Sequence, residues 1–150
     1  MTVLFAFLHH AAAFALVAAL AVELALMRGE PGPERIRRLA HADMVVGISA
    51  TFLFLVGLAR VFHFEKGAVY YFHNWAFIGK LSLFLLAALL SIYPTVKIIS
   101  WSRALKRGET PSIDAATLRK VRMVIHTELA AILPIVLFAA MMARGIGVFQ

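Results

Sequence analysis

The chain has 150 residues, 62% of them hydrophobic and 15% charged, with a net charge of +7 and no cysteine. A soluble domain is only about 45–50% apolar, so this composition excludes an ordinary water-soluble fold. The missing cysteine excludes disulfides, thiolate metal sites and thiol chemistry.

Four segments, roughly residues 3–27, 44–62, 75–99 and 123–143, reach the ~20 residues that cross a ~30 Å hydrocarbon core. They take over half the chain. They predict an all-α fold: an integral membrane four-helix bundle, with residues 1–150 forming a single transmembrane domain. The first segment has no Lys or Arg before it and outruns a signal-peptide core of ~7–15 residues, so it is expected to stay as a helix. It closes near Arg28, where Gly29, Glu30, Pro31, Gly32 and Pro33 halt helical propagation. A short amphipathic piece, 34–41, leads into the second segment, with Asp43 at its first turn and positioned to act as N-cap. Gly47, Ala50, Phe54 and Gly57 follow on one face, open to a neighbouring helix or to a flat cofactor. Trp75 and Trp101 bracket the third segment as interfacial aromatics do. The connection 102–122 contains the turn Thr110-Pro111-Ser112, and 114–122 is expected to begin the fourth helix ahead of the membrane. Pro134 lies inside that helix and is expected to kink it.

The basic residues sort by connection. Arg28, Arg35, Arg37 and Arg38 lie between segments one and two; Lys97, Arg103, Lys106, Arg107, Arg119, Lys120 and Arg122 lie between segments three and four. The connection between two and three holds only Arg60 and Lys66. Short loops rich in Lys and Arg stay in the cytoplasm. The expectation is a multi-pass protein of the bacterial inner (cytoplasmic) membrane with both termini periplasmic. The charge then reflects topology and contact with membrane lipid headgroups, not nucleic acid.

Ionisable residues within such segments are costly and usually face a bundle interior. By depth they form two layers. The outer layer holds His9, His10, Arg60, His63, His73, Asn74 and Lys80. The inner layer holds Glu23, His41, Asp43, Tyr93, Thr95, His126 and Glu128. His9 and Lys80 both lie about two turns in, ~9–12 Å at 1.5 Å per residue, so they can face each other across the bundle. His9 shares a stripe with Ala13, Leu16, Leu20 and Glu23, whereas His10 points about 100° away. His9 is therefore expected inward, and His10 against a neighbouring helix or behind His9. A neutral imidazole in an apolar bundle suits haem iron. Lys80 fits as the second axial ligand when neutral, or as a propionate partner when charged, and Arg60 or Arg144 as propionate partners. Bland readings stand beside these: a core histidine at 9, and snorkelling to the interface for Lys80. In the inner layer Glu23, Asp43 and Glu128 with His126 are expected at one level. Acids crowded at low dielectric resist joint ionisation, so one would hold a proton or pair with His126, forming a proton relay. Helix-end capping is the alternative.

Leu8-His9, Lys80 within Asn74-Trp75-Ala76-Phe77-Ile78-Gly79-Lys80-Leu81, and Thr127-Glu128 with Pro134 resemble the CopD/HemJ-like superfamily of membrane proteins. A closer resemblance is to an uncharacterised bacterial branch, a four-helix inner-membrane family of unknown function. It rests on Asp43, Gly47, Arg60, Lys66-Gly67, Tyr70-Tyr71, Asn74, Phe77, Lys80, Ser91, Pro94-Thr95, Trp101 and Ala143-Arg144-Gly145-Ile146-Gly147, and spans essentially the whole chain. HemJ-type proteins bind haem b through one helix-one His and one helix-three Lys. The resemblance implies those roles for His9 and Lys80. HemJ-type sequences carry a Trp and an Ala-Gly pair after that His, where this chain is Ala-rich with Glu23, so haem binding carries over better than protoporphyrinogen oxidation. The expected function is electron transfer or oxidoreductase chemistry on haem b, with quinone or porphyrin as partner. The alternative is a non-catalytic subunit or assembly factor, joined to other membrane subunits or to itself as a homodimer. A metal transporter is disfavoured, because Met and His are not clustered as a relay.

Overall fold

The structure is a computed structural model that describes residues 2–29, 32–64 and 67–149. Lys66 and the Glu30-Pro31 pair of the first turn lie outside the described residues. The helices are α1 (Thr2–Leu26), α2 (Pro33–Ala59), α3 (Ala68–Phe72), α4 (Trp75–Lys106) and α5 (Ala115–Ala143). A wide π-type turn, Arg60–Phe64, prolongs α2. Four helical stretches are long and apolar enough to cross a membrane: Thr2–Leu26, Pro33–His63, Trp75–Lys106 and Ala115–Ala143. The chain is an all-α, multi-pass four-helix membrane bundle whose outer faces meet lipid.

Three helices run past the hydrocarbon. At 1.5 Å per residue α4, with 32 residues, is about 48 Å long against a ~30 Å core. The piece 34–41 is not a separate element; it is the first part of α2, begun by Pro33 at the position where a missing N–H costs nothing. Asp43 is therefore not an N-cap. It lies three turns inside α2, and its side chain is committed elsewhere. The segment after 114 does begin the fourth helix early, as expected. Asp114 caps it by accepting from the Thr117 amide at 2.7 Å and the Thr117 hydroxyl at 2.6 Å.

α1 packs along α2 and α4 along α5; α2 meets α4 and α1 meets α5. So α1 and α4 stand on a diagonal. Packing is uneven along the bundle. At the end carrying the basic connections, one apolar layer joins Met27, which closes α1, to Ile36 and Leu39 of α2, Ile98 of α4, and Val121 and Ile125 of α5, each at most 2% exposed. Trp101 joins that layer and is 6% exposed; it is not the interfacial anchor its position suggested. Toward the end carrying the termini, α4 buries no described residue between Phe77 and Pro94, and α5 none beyond Glu128. The helix lengths explain the difference. The basic end projects past the hydrocarbon, where water drives apolar side chains together at about 1.5–3 kcal/mol each. Within lipid that drive is gone, and Leu or Ile can face the acyl chains freely.

A second closure lies at the terminal end. Asn74 caps α4, its Oδ1 accepting from the amides of Ala76 at 2.9 Å and Phe77 at 3.2 Å. The chain after α5 returns to it: Trp75 N–H donates to the Gly147 carbonyl at 2.8 Å and Phe149 N–H to the His73 carbonyl at 2.9 Å. Gly147 takes φ +102°, and a Cβ there would stand 2.7 Å from Asn74 Oδ1. Only glycine lets the returning chain and the cap coexist.

Candidate functional site: two polar groups inside the bundle

At the terminal end, the 3.6-residue period orients α1 as expected. Ala12, Leu16, Ala19, Leu20 and Glu23 are buried and His9 is half-buried. His9 lies against α2 where that helix has no side chain: a Cβ at Gly57 would sit 3.3 Å from His9 Cε1 and 3.6 Å from Nδ1. His10 is exposed, and its Nδ1 donates to the Ala6 carbonyl of its own helix at 2.7 Å. It takes no place in the interior, and its contact to His9 is edge-on, 6.1 Å between ring centres. Lys80 is half-buried on α4, five residues after Trp75, with Nζ 5.4 Å from the centre of the Phe77 ring. Arg60 is half-buried where α2 passes into its π-type turn. Arg144 ends α5 and is exposed, as are His63 and His73.

The expected cofactor face on α2 is divided. Ala50, Phe54 and Gly57 turn inward, and Phe54 stacks parallel to Phe84 of α4 with centres 6.1 Å apart. Gly47 turns outward, and nothing lies within 4 Å of where its Cβ would be.

The second group sits just inside the apolar layer. Glu23, Asp43 and Glu128, on three different helices, are 2%, 7% and 5% exposed. Asp43 and Glu128 both lie close enough for their charges to act on Glu23. Thr95 Oγ1 of α4 donates to Asp43 Oδ1 at 2.6 Å, and the Ser91 hydroxyl, one turn earlier, lies beside the Glu128 carboxyl. Pro94 between them offers no N–H to the carbonyl four residues back, a local opening in the α4 backbone. Glu23 Oε1 and Glu128 Oε2 are buried with no hydrogen-bond partner.

His126 does not belong to this group. It is exposed, because two residues of helix turn it about 200° from Glu128. His41 is also exposed, its Nδ1 donating to the Arg37 carbonyl at 2.9 Å. Tyr93 is half-buried, with Lys97 and Lys120 reaching over its ring at 5.9 and 5.2 Å. Ser91 was the partner that sequence reasoning left out of the site. Its position one turn before Thr95, on the same face, was the available signal.

Among the described residues, no three His, Asp or Glu side chains come together to hold a metal ion. A surface hollow of about 280 Å³ lies under the α4–α5 connection, lined by Lys97, Ser100, Ser112 and Thr117 among others. Its floor includes Trp101, so the apolar layer divides it from the acids.

No curated protein and no solved structure matches the chain. A family described as predicted membrane protein (DUF2214) matches residues 1–147, in accord with four membrane-length helices and an interior that keeps its polar groups on facing helices. The chain belongs to that family.

Proposed function

We propose that this protein binds haem b in the terminal half of the bundle and acts in electron transfer or as an oxidoreductase, in the manner of the HemJ-like proteins it resembles. The observation that supports this reading is the placement of His9 and Lys80. Both are half-buried at the same end, on the two helices that stand diagonally, where α4 and α5 bury little of their own surface.

These residues suit the group. His9 offers a neutral imidazole nitrogen, held against Gly57. Lys80 offers an amine that ligates when uncharged or pairs a propionate when charged, and Arg60 offers a guanidinium at the same level. These two donors would be enough to hold haem iron, whereas a free ion would need a cluster. Bound haem would supply one-electron redox chemistry. Phe54, Phe84 and Leu81 give this half of the bundle apolar surface, and a lipid-soluble reductant such as a quinone or a porphyrin would reach the site laterally through the membrane. By the bias of Lys- and Arg-rich loops toward the cytoplasm, the α1–α2 and α4–α5 turns would lie in the cytoplasm and both termini in the periplasm of a bacterial inner membrane.

A second reading, a subunit or assembly factor in a larger membrane complex or homodimer, has one observation in its favour. Gly47 and Thr51 sit on the outward face of α2, the Thr51 hydroxyl folded back onto the Gly47 carbonyl at 2.8 Å. This leaves a smooth strip where another helix can approach.

The absorption spectrum separates the two. Protein purified from haem-supplemented cells should show a Soret band, lost in His9→Ala and kept in His10→Ala. A colourless wild type, or a band indifferent to His9→Ala, refutes haem ligation as assigned and favours the subunit reading.

A further inference from the structure

Three carboxyl groups converge from α1, α2 and α5 at the inner edge of the hydrocarbon, and none has a cationic partner among the described residues. The nearest titratable and charged groups lie on the elements packed around them. On α1 the nearest toward the basic end is exposed Arg28, and toward the termini His9; on α2 the nearest is exposed His41. On α4 they are Tyr93 and Lys97, the ammonium over the ring, and Lys80, which lies three helical turns from Ser91, ~16 Å along the axis. On α5 Lys120 lies over the same Tyr93 ring, and Arg122 and His126 are exposed. Bare carboxylates in a dry interior are prohibitively costly, and one oxygen each of Glu23 and Glu128 is buried without any partner. With no cationic partner among the described residues, a proton on the carboxyl group is the simplest charge to balance it.

Access is asymmetric. Water stands at the basic end only about two helical turns away. Yet the apolar layer intervenes there, with Ile98, Val121 and Ile125 at 0% exposure. On the other side the packing is looser. The inward face of α4 runs Lys80, Phe84, Ala87 and Ser91, within about 60° of one another around the helix, all half-buried. On that face Ala87 stands between Phe84 and Ser91, whose hydroxyl lies beside Glu128.

We propose that Glu23, Asp43 and Glu128 form a proton-binding site, closed toward the basic end by the apolar layer and loaded from the terminal end past Ala87 and the Ser91 hydroxyl. Loading moves a proton from hydronium to a carboxylate, leaving water and a carboxylic acid, with no other reactant. The site does not depend on haem.

The test is infrared difference spectroscopy of the full-length protein in lipid bilayers at neutral pH, reading the carbonyl stretch of protonated carboxyl groups. The wild type should show such a band. Labelling glutamate carboxyls with ¹³C, which changes no residue and risks no misfolding, should shift part of it, and Glu23→Gln or Glu128→Gln should remove part of it. On transfer to heavy water, Ala87→Leu should slow the band's exchange by about tenfold, the scale on which an extra buried side chain obstructs a packed interior. Ala88→Leu, the same change at the same depth but on the exposed face of α4, should leave it unchanged, whereas Ile98→Ser should speed it. Absence of the band in the wild type overturns the proposal, as does its displacement by sodium or potassium at constant pH, which would make this a cation site. Wild-type exchange in Ala87→Leu, or equal slowing in Ala88→Leu, overturns the route, and unchanged exchange in Ile98→Ser overturns the seal.

Discussion

Replacing Asn74 by alanine removes three interactions at a side chain that is 0% exposed. Two are N-cap bonds to the Ala76 and Phe77 amides at 2.9 and 3.2 Å. The third is the longer bond from Nδ2 to the Ile146 carbonyl at 3.3 Å. Loss of an N-cap costs about 1 kcal/mol, and each buried group left without a partner about 1–3 kcal/mol. Water can reach part of this interface once the segment from Gly145 to Phe149 loosens, so the lower half of that range applies to the one group outside the cap, the Ile146 carbonyl, and the sum is about 2–3 kcal/mol. Asn74→Ser keeps a neutral side-chain acceptor at the helix N-terminus, where serine caps about as well as asparagine, and loses only the weak third bond. Its cost should be about 1 kcal/mol or less. Reversible unfolding of bilayer-reconstituted protein against SDS mole fraction measures both. Equal losses in Asn74→Ala and Asn74→Ser would refute the capping argument, because the two share only the lost Ile146 contact.

Topology is checked by cysteine labelling: Val69→Cys and Ser112→Cys, both exposed, should react from opposite sides of the membrane, and same-side labelling removes the depth argument. Asp114 gives a pH dependence. The Thr117 hydroxyl, and after it the Thr117 amide, hold its carboxyl below the ordinary value. The folded value is thus lower than the unfolded one, so the cap is at full strength above the ordinary aspartate range and is lost as pH falls through the lowered folded value. Measured against the intrinsic exchange rate at each pH, protection of the Thr117 and Leu118 amides should fall only in that acid window; flat protection refutes the cap's role. The uneven packing makes a further prediction. Ile98→Ala, in the layer at the basic end, should cost about 2–5 kcal/mol, whereas Leu89→Ala, 65% exposed toward lipid, should stay within ~0.5 kcal/mol. Equal costs in the same unfolding assay would show that burial at the basic end does not hold the bundle.

The four spans were legible because crossing hydrocarbon demands an uninterrupted apolar run. The helix ends were not, because that demand stops at the membrane edge while hydrogen bonding continues. Residues 34–41 read as a separate prelude for this reason, though they are continuous with the helix they precede, whereas 114–122 read correctly as the start of the fourth helix because Asp114 marks its cap. The misplacement of Asp43 follows directly. A second helix begun at residue 44 makes Asp43 a cap, whereas one begun at Pro33 puts the same carboxyl three turns inside, where it needs the Thr95 hydroxyl. Trp101 was misjudged by the same boundary: in a helix ending at the interface it anchors to headgroups, but in one that projects beyond it packs against Ile98 and its neighbours.

Rotation about the helix axis was read well where one residue fixed it and poorly where it was not applied. Glu23 decided between His9 and His10, since only one of the two shares its stripe, and the structure turns α1 that way. The same period separates His126 from Glu128 by about 200°, so grouping them by depth alone joined a residue facing outward to one facing inward. Depth is set by chain length and is visible in sequence; facing is set by which neighbour needs the side chain. For Glu128 that neighbour is Ser91, 37 residues earlier on another helix, and no local pattern connects the two. The pairing becomes visible only when α4 and α5 lie side by side. There the three acids stand on the dry side of the apolar layer, which is the arrangement a site must have if it is to hold protons that the adjacent water does not freely exchange.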